Sequence, residues 1–310
     1  MVLGLQFHPT ILAPAIVNGI AISSLYALMA IALVLTFRMS RSVAFVHGGI
    51  ASISAYLYWY LAATSASAFT VLGWPKLPSL GIVILFGALG GFIFGTVVMG
   101  RMAAWPRVTV TTFSLGAMLL VAGIAGTIWR GVFETVPSPF GVGTIRIFSM
   151  NVTRHQVVCV ALLVVLSAAL TVVLQKTRLG VYIRAIADDV EAGEIVGIPT
   201  RKVAIGVWSF SGALAGLGGA LIVPMSTLTE LAVLFVLMRS LAAAVLGGFD
   251  SLPLALVGAL IFGLVESVVG GGVFGPVSSG GREVILVVLL FGGILLLARR
   301  KGGSLSLGEV

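Results

Sequence analysis

Apolar runs of transmembrane length dominate this sequence, and short polar stretches separate them. A membrane-spanning α-helix needs about 20 predominantly apolar residues. The sequence is therefore predicted to form an all-α, polytopic transmembrane helical bundle of about eight or nine hydrophobic segments. The predicted segments cover residues 10–37, 42–63, 80–100, 108–128, 156–174, 204–223, 231–246, 252–269 and 284–298.

Two of these segments carry features that predict an irregular path. Pro9 and Pro14 predict a broken or tilted start for the first helix, because proline suits a first turn and disrupts a helix interior. The segment 231–246 is short and contains Arg239. A run of that length is more typical of a re-entrant or partly spanning segment than of a full crossing.

Two polar stretches interrupt the apolar pattern within what is predicted to be a single permease domain, residues 1–310. Residues 129–155 have no helical period and contain several prolines and glycines, so they predict an extracytoplasmic loop with an extended piece at 144–148. Residues 177–203 have a helical pattern and predict a cytoplasmic docking surface. This second stretch holds a large share of the charge, namely Arg178, Arg184, Asp188, Asp189, Glu191, Glu194, Arg201 and Lys202.

Composition supports a membrane protein and charge predicts its orientation. The chain has 310 residues, of which 59% are hydrophobic and 9% charged, with a net charge of +8. Basic groups at 38–41, 101–107, 176–202 and 299–301 fall on one side if every segment crosses. The positive-inside rule then places the N-terminus outside and the C-terminus in the cytoplasm of a bacterial inner membrane. The positive charge is thus explained by cytoplasmic loops and contact with membrane lipid, and nucleic acid is not an expected partner.

Glycines recur at four-residue spacing on two predicted helices. This spacing places a smooth groove on one helix face, where another backbone can approach closely. Chance is the alternative explanation, because the chain contains 40 glycines. The candidate packing residues are Gly87, Gly91 and Gly95 on one helix and Gly212 and Gly216 on another.

Motifs for soluble catalysis are missing from the sequence. It contains no HExxH, no GxSxG and no phosphate-binding Walker A loop, so we expect no catalytic residues, no metal site and no cofactor bound by this chain. Cys159 is the one cysteine, which excludes an intrachain disulfide and a cysteine-based metal cluster.

Three polar side chains within apolar runs are candidates for a transport pathway. His47 either lies beside the path or is a packed, hydrogen-bonded histidine. Charge in hydrocarbon is costly, so Arg239 and Glu266 either face a water-filled path or form a structural pair between helices. A carrier driven by protons or sodium needs an ionisable relay near the midplane. So few ionisable groups indicate an energy source outside the chain.

Four motifs in order carry a resemblance to a known family. The segments Ala44–Gly48, Arg184–Ile198, Ala244–Gly248 and Gly263–Glu266 resemble the patterns N-F-A-H-G, R-A-x2-[ND]-x3-A-x4-G-I, A-x-L-G-G and G-x-x-E. From about Asn18 to Arg300 the chain is similar to branched-chain amino acid-type ABC permeases, a family that includes urea and short-amide importers. Within it, the segment Glu191–Gly197 resembles the EAA loop, a short helix that seats in a groove of the ATPase.

The resemblance implies an ATP-driven importer for a small polar solute, with this chain as half of its pathway. It implies a second permease subunit, in a heterodimer or a homodimer, two cytoplasmic ATPases that bind the ATP, and an extracytoplasmic solute-binding protein. The residues it assigns to ATPase coupling are Arg184, Asp188, Asp189, Glu191, Ala192, Gly193, Gly197 and Ile198. The motifs and the charges within apolar runs together give the candidates for the pathway or its gate, namely His47, Gly48, Arg239, Gly247, Gly248 and Glu266.

The chain departs from the family pattern at Ala44, where asparagine is common, at Gly49, where an acid is frequent, and at Phe249-Asp250. These positions lie near the implied pathway, so the transported solute can differ from the amino acids that are usual for the family. A stand-alone secondary carrier or facilitative channel is the alternative function. A membrane-embedded enzyme is the third, although the sequence shows no catalytic set.

Overall fold

The architecture comes from a computed structural model. It describes residues 9–63, 72–102, 105–129, 136, 138–141, 143–147, 150–225, 228, 230–249, 251–273 and 279–300. These residues form helices α1 (Pro9–Ser40), α2 (Val46–Ala62), α3 (Lys76–Gly100), α4 (Arg107–Ile128), α5 (Arg154–Lys176), α6 (Arg178–Asp188), α7 (Val190–Ile195), α8 (Thr200–Ile222), α9 (Glu230–Leu246), α10 (Leu252–Gly270) and α11 (Ser279–Arg300), with strands β1 (Thr144–Ile147) and β2 (Met150–Thr153).

The predicted all-α polytopic bundle is confirmed. Of the described helices, 6 are long and apolar enough to cross a membrane, namely α1, α3, α4, α5, α8 and α10. Three further apolar segments are shorter, namely α2 and α9, of 17 residues each, and the described apolar part of α11. With them, the number of described apolar segments agrees with the predicted eight or nine. Of the two starts predicted for the first helix, broken or tilted, the broken one is wrong, because α1 continues through Pro14 as one helix.

Packing partners show the direction in which each helix runs. Asn18 and Ser23 of α1 contact Ser267 and Leu260 of α10, so these two helices are antiparallel. Helices α3 and α8 are also antiparallel. Consecutive apolar helices therefore alternate in direction between two ends of the bundle. We call the end that carries Arg41, α6 and α7 the basic end, and the end that carries β1 and β2 the hairpin end.

The centre of the bundle is built from α1, α2 and α8. Most of their side chains are buried, including Tyr26, Trp59 and Trp208. Helices α3, α4, α5 and α11 instead carry large apolar side chains on exposed outer faces, as expected for surfaces that meet lipid or another subunit. The protein interior thus lies between three helices, and the others surround them.

Helices α3 and α8 meet backbone to backbone through the two glycine series. A Cβ added to Gly87 would lie 2.5 Å from the carbonyl oxygen of Gly212. One added to Gly216 would lie 3.0 Å from the carbonyl oxygen of Val83. No side chain fits between the helices at these points, so the residues have to be glycine for the observed approach.

The hairpin end is organised by the antiparallel pair β1–β2, in which Thr144 pairs with Thr153. The predicted extended piece at 144–148 matches β1 as far as Ile147, and Phe148 lies outside the described residues. Thr153 then starts α5 through a capping box with Gln156, in which each side chain bonds the other's backbone N–H. Hairpin and helix are consequently joined without an intervening loop.

Candidate functional site

The charged stretch 177–203 folds into two short helices at the basic end, followed by the start of α8. The Thr177 side chain accepts a hydrogen bond from the backbone N–H of Gly180 and starts α6. Ile183 and Ile186 bury one face of α6, while Arg184 donates to the carbonyl oxygen of Leu174 at the end of α5. Helix α6 is therefore fixed to the membrane helix that precedes it.

Helix α7 follows directly and is held at both ends. The carboxylate of Asp189 accepts a hydrogen bond from the backbone N–H of Ala192, at 3.1 Å, and so caps its start. The hydroxyl of Thr200, the first residue of α8, donates to Glu194 at 2.7 Å. Gly193 is buried and its added Cβ would contact Thr200 at 3.6 Å. These contacts seat α7 on the end of α8.

A glycine turn ends α7 and presents its tip to solvent. Gly197 has a φ of +82°, and the backbone N–H of Ile198 bonds the carbonyl oxygen of Gly193 at 3.0 Å. This is the glycine-dependent closure typical of helix C-termini. It leaves Ile195 85% and Val196 74% exposed.

The surroundings of that apolar tip are acidic. The exposed side chains of Asp188, Asp189 and Glu191 lie beside it along the chain. Exposed apolar side chains in a charged, structured segment are typical of a protein-binding surface. We call Arg184 to Ile198 the coupling element, after the ATPase-coupling role that the sequence predicts for its residues. It contains all eight residues that sequence reasoning assigned to ATPase coupling.

A charged triad lies within the apolar part of the bundle. The Arg239 guanidinium is 2.7 Å from the Glu266 carboxylate, and these side chains are only 13% and 11% exposed. The Tyr26 hydroxyl donates to the other carboxylate oxygen and accepts from Arg239 at 3.1 Å. The guanidinium also lies 5.4 Å from the ring centroid of Phe235. The triad joins α9, α10 and α1, and its two charges neutralise each other.

His47 and Gly48 lie in a helix-packing region. The His47 ring is fully buried, with its centroid 5.6 Å from that of Trp208, and its Nδ1 bonds the carbonyl oxygen of Ala44. A Cβ on Gly48 would lie 2.5 Å from the Leu237 side chain of α9 and 3.1 Å from the sulfur of Met118 on α4. A Cβ on Gly49 would lie 3.2 Å from the Met118 Cα. These glycines allow α4 and α9 to approach α2.

Gly247 and Gly248 form the tight connection between α9 and α10 at the basic end. A Cβ on Gly247 would lie 2.8 Å from the backbone nitrogen of Ala255, and Gly248 has a φ of +63°. The following Phe249 stacks on Phe37 with ring centroids 4.4 Å apart. The six residues assigned to the pathway therefore lie in three settings: the triad, the packing of the start of α2 against α4, α8 and α9, and this turn.

Sequence reasoning did not single out several of the residues that hold these sites. Tyr26 completes the triad, Thr200 anchors α7, and Arg41 donates a hydrogen bond to the carbonyl oxygen of Ala187 in α6. None of the three belongs to a local motif. Within the ranges that the structure describes, histidine, cysteine and acidic side chains form no group of three suited to a metal ion.

Comparisons with known proteins agree with the motif resemblance. Residues 15–298 match the family model described as a branched-chain amino acid transport system permease component. The high-affinity branched-chain amino acid permease protein LivH of Escherichia coli K12 is 26% identical, covering 81% of this chain and 83% of the relative. BraD of Pseudomonas aeruginosa, with the same described role, is 25% identical over 84% and 86% of the two chains.

A sugar permease is also similar. The fructose import permease protein FrcC of Rhizobium meliloti is 29% identical over 62% of this chain and 55% of its own length. No solved structure matches the chain significantly.

Proposed function

We propose that this chain, which belongs to the family of branched-chain amino acid transport system permease components, forms one half of the membrane pathway of an ATP-driven importer. The family is one of transport permeases rather than enzymes. The multi-pass helical bundle agrees with this role. Transport energy would come from ATP bound by separate ATPase subunits, with this chain binding no nucleotide.

The coupling element is the observation that carries the proposal. It is rigidly built, because Arg184 ties it to α5 and the Thr200–Glu194 bond ties it to α8. Its tip, Ile195 and Val196, is apolar and exposed. An ATPase groove with an apolar floor and basic rim would complement this tip and its neighbouring acids. Movement of the ATPases would then be transmitted directly to two membrane helices.

The basic end is proposed to face the cytoplasm, where the ATPases are. Arg41, Lys176, Arg178 and Lys202 gather at this end, as the positive-inside rule requires. The N-terminus and the hairpin end would then be outside. There a solute-binding protein would dock, and a second permease subunit would complete the pathway.

A stand-alone carrier or channel is not favoured. The relatives are permease components of transport systems. Arg239 and Glu266, the two charges identified within the membrane, form an ion pair with each other, and Tyr26 donates a hydrogen bond to Glu266. That arrangement is a poor relay for a coupling ion, which requires a group that gains and loses charge during transport.

The proposed cargo is a small polar solute. Relatives are named for branched-chain amino acids and for fructose, so both classes come into consideration. The departures from the family pattern at Ala44 and Gly49 leave the choice between them open.

Exchange of one exposed tip residue tests the proposal. Ile195→Asp should greatly reduce co-purification of the ATPase subunits and abolish solute-stimulated ATP hydrolysis, because it places charge in an apolar contact. Ile145→Asp is the matched control for co-purification, since Ile145 is also an exposed isoleucine but lies at the hairpin end, away from the ATPases. The proposal fails if Ile195→Asp assembles normally, or if the purified chain alone hydrolyses ATP.

A further inference from the structure

A large cavity with a mainly apolar surface and several polar side chains lies at the hairpin end, away from the coupling element. Its volume is about 690 Å³. Its walls are formed by Asn18 of α1, the start of α5, Pro224 and Met225 after α8, and the described residues between 136 and 144. Small-molecule sites usually have volumes of about 300–1,000 Å³, so the cavity is large enough for a small solute.

Two amide side chains are held rigidly in the wall. The side-chain amide nitrogen of Gln156 donates to the side-chain oxygen Oδ1 of Asn18 at 3.1 Å. The amide nitrogen of Asn18 donates to the hydroxyl of Ser267 at 3.2 Å. Each amide group can make further hydrogen bonds beyond these. The wall therefore presents amide donors and acceptors in fixed positions.

A buried histidine supports the neighbouring part of the wall. The Nε2 of His155 is 3.0 Å from the carbonyl oxygen of Leu221, to which it can only donate. Its Nδ1 therefore accepts from the Ser138 hydroxyl at 3.0 Å, and the same hydroxyl oxygen accepts from the backbone N–H of Phe140. Both side chains are buried. This network fixes the Ser138 segment against α5 and α8.

The start of α5 offers few free backbone donors for an anion, although helix N-termini commonly bind anions. The backbone N–H of Thr153 donates to the Gln156 side chain, and that of Arg154 donates to the carbonyl oxygen of Gly143. The backbone N–H of Gln156 donates to the Thr153 hydroxyl. A carboxylate in the cavity would have to break these bonds to use the donors.

Among the described residues, the side chains that line the cavity are uncharged apart from the titratable His155, and the Arg154 guanidinium lies against Gly143 at its edge. These lining residues include no acidic side chain that could pair with an ammonium group. Hydroxyls of Ser138, Thr144 and Thr153 join the two amides, and Val136 and Met225 supply apolar surface. Desolvating a charged group without a counter-charge is costly, whereas hydroxyl and amide groups can exchange water for these side chains. The lining therefore favours a neutral polar molecule over an amino acid.

We propose that this cavity is an entry site for an uncharged solute rich in hydroxyl or amide groups. The proposal rests on the proposed function, because an entry site at the hairpin end presupposes that this end faces outward and that the solute moves inward. Asn18 and Gln156 bind the solute's polar groups, and Met225 contacts its apolar part. The site receives the solute before it enters the pathway between the permease subunits.

Ligand-observed NMR with the full chain in lipid nanodiscs tests this site without any partner subunit. The probes are D-fructose for hydroxyls, propanamide for amides and L-leucine for a zwitterion. We expect saturable binding of D-fructose or propanamide, and much weaker binding of L-leucine. The neutral probe that binds more tightly shows whether the site prefers a hydroxyl-rich solute or an amide. Equal or tighter binding of L-leucine, or no binding of either neutral probe, would overturn the proposal.

Two variants locate the binding. Met225→Trp fills the cavity and Asn18→Leu removes an amide, and each should weaken neutral-probe binding by about tenfold or more. Leu119→Trp, at an exposed position on α4, is the control and should bind as the unchanged protein does. A melting temperature for each variant identifies any that fails to fold, in which case the other variant decides. Unchanged binding in a folded cavity variant also overturns the proposal.

Failure here is distinguishable from failure of the importer assignment. A chain that assembles with ATPases but binds no neutral probe refutes only the entry site. A chain that binds the probe through Asn18 but never associates with an ATPase refutes only the importer role.

Discussion

The Arg41 guanidinium donates a hydrogen bond to the backbone carbonyl oxygen of Ala187, and so joins the α1–α2 corner to the last turn of α6. Arg41 does this from a left-handed backbone conformation, with φ of 51°. Such a conformation costs a non-glycine residue about 1–3 kcal/mol and persists where the surroundings impose it. Through this contact, a movement of the coupling element would displace the corner between α1 and α2.

Arg41→Gly should reduce solute-stimulated ATP hydrolysis while leaving assembly with the ATPases intact. Glycine removes the donor and at the same time relieves the backbone. The measurement is the ratio of stimulated to basal ATPase activity in the assembled complex. Arg41→Lys retains a charged donor and is expected to keep part of the stimulation. Full stimulation in Arg41→Gly would show that the contact plays no part in coupling.

Breaking the charged triad from one side should destabilise the bundle. Glu266→Met leaves the Arg239 guanidinium buried without its counter-charge, and a loss of this kind costs about 3–5 kcal/mol. The double variant Arg239→Met/Glu266→Met should recover much of that stability, because no unpaired charge remains. Thermal unfolding of the purified chain measures both effects. A single variant as stable as the double variant would contradict this account.

Gly212→Ala should lower the melting temperature, because the added Cβ would lie 2.8 Å from the Cα of Gly91 on α3. Overpacking of this kind costs about 1–3 kcal/mol. Gly206→Ala, on the same helix, is the matched control, since a Cβ there meets no described atom within 4 Å. It should be neutral or slightly stabilising through better helix propensity. Equal effects of the two changes would refute a close-packing role for Gly212.

The turn after α7 depends on the backbone of Gly197 and not on its contacts. An added Cβ would meet no described atom within 4 Å, yet φ is +82°. Gly197→Val should therefore disturb the tip and weaken ATPase co-purification, because a β-branched residue strongly disfavours this conformation. Gly197→Asn should retain most of the ATPase co-purification, since asparagine tolerates the left-handed region. Similar losses in both variants would indicate a side-chain effect instead.

Element positions were predictable from the sequence to within a few residues. The first and fourth apolar runs, for example, predict helices over 10–37 and 108–128, and the structure has Pro9–Ser40 and Arg107–Ile128. Lipid solubility demands long uninterrupted apolar runs, so the signal is strong. The second strand of the hairpin was not predicted, because Met150–Thr153 is short and its partner strand determines its conformation.

Many of the hydrogen bonds that hold the candidate site together could not be predicted from the sequence. Tyr26 and Glu266 are 240 positions apart, and nothing local links them. Arg41 bonds a backbone carbonyl group, which every residue possesses, so no side-chain pattern marks the partner. Gly48 illustrates a different difficulty: a small residue that lets a helix approach looks the same in sequence as one that lines a pathway.

The direct backbone contact between α3 and α8 has a mechanical consequence. Side chains that interdigitate can change rotamer and let helices slide, but Gly87 and Gly212 provide no such layer. Helices α3 and α8 should therefore move as one rigid body. Because the coupling element is seated on the first turn of α8, a displacement of the ATPases by a few ångströms would tilt this pair as a single lever.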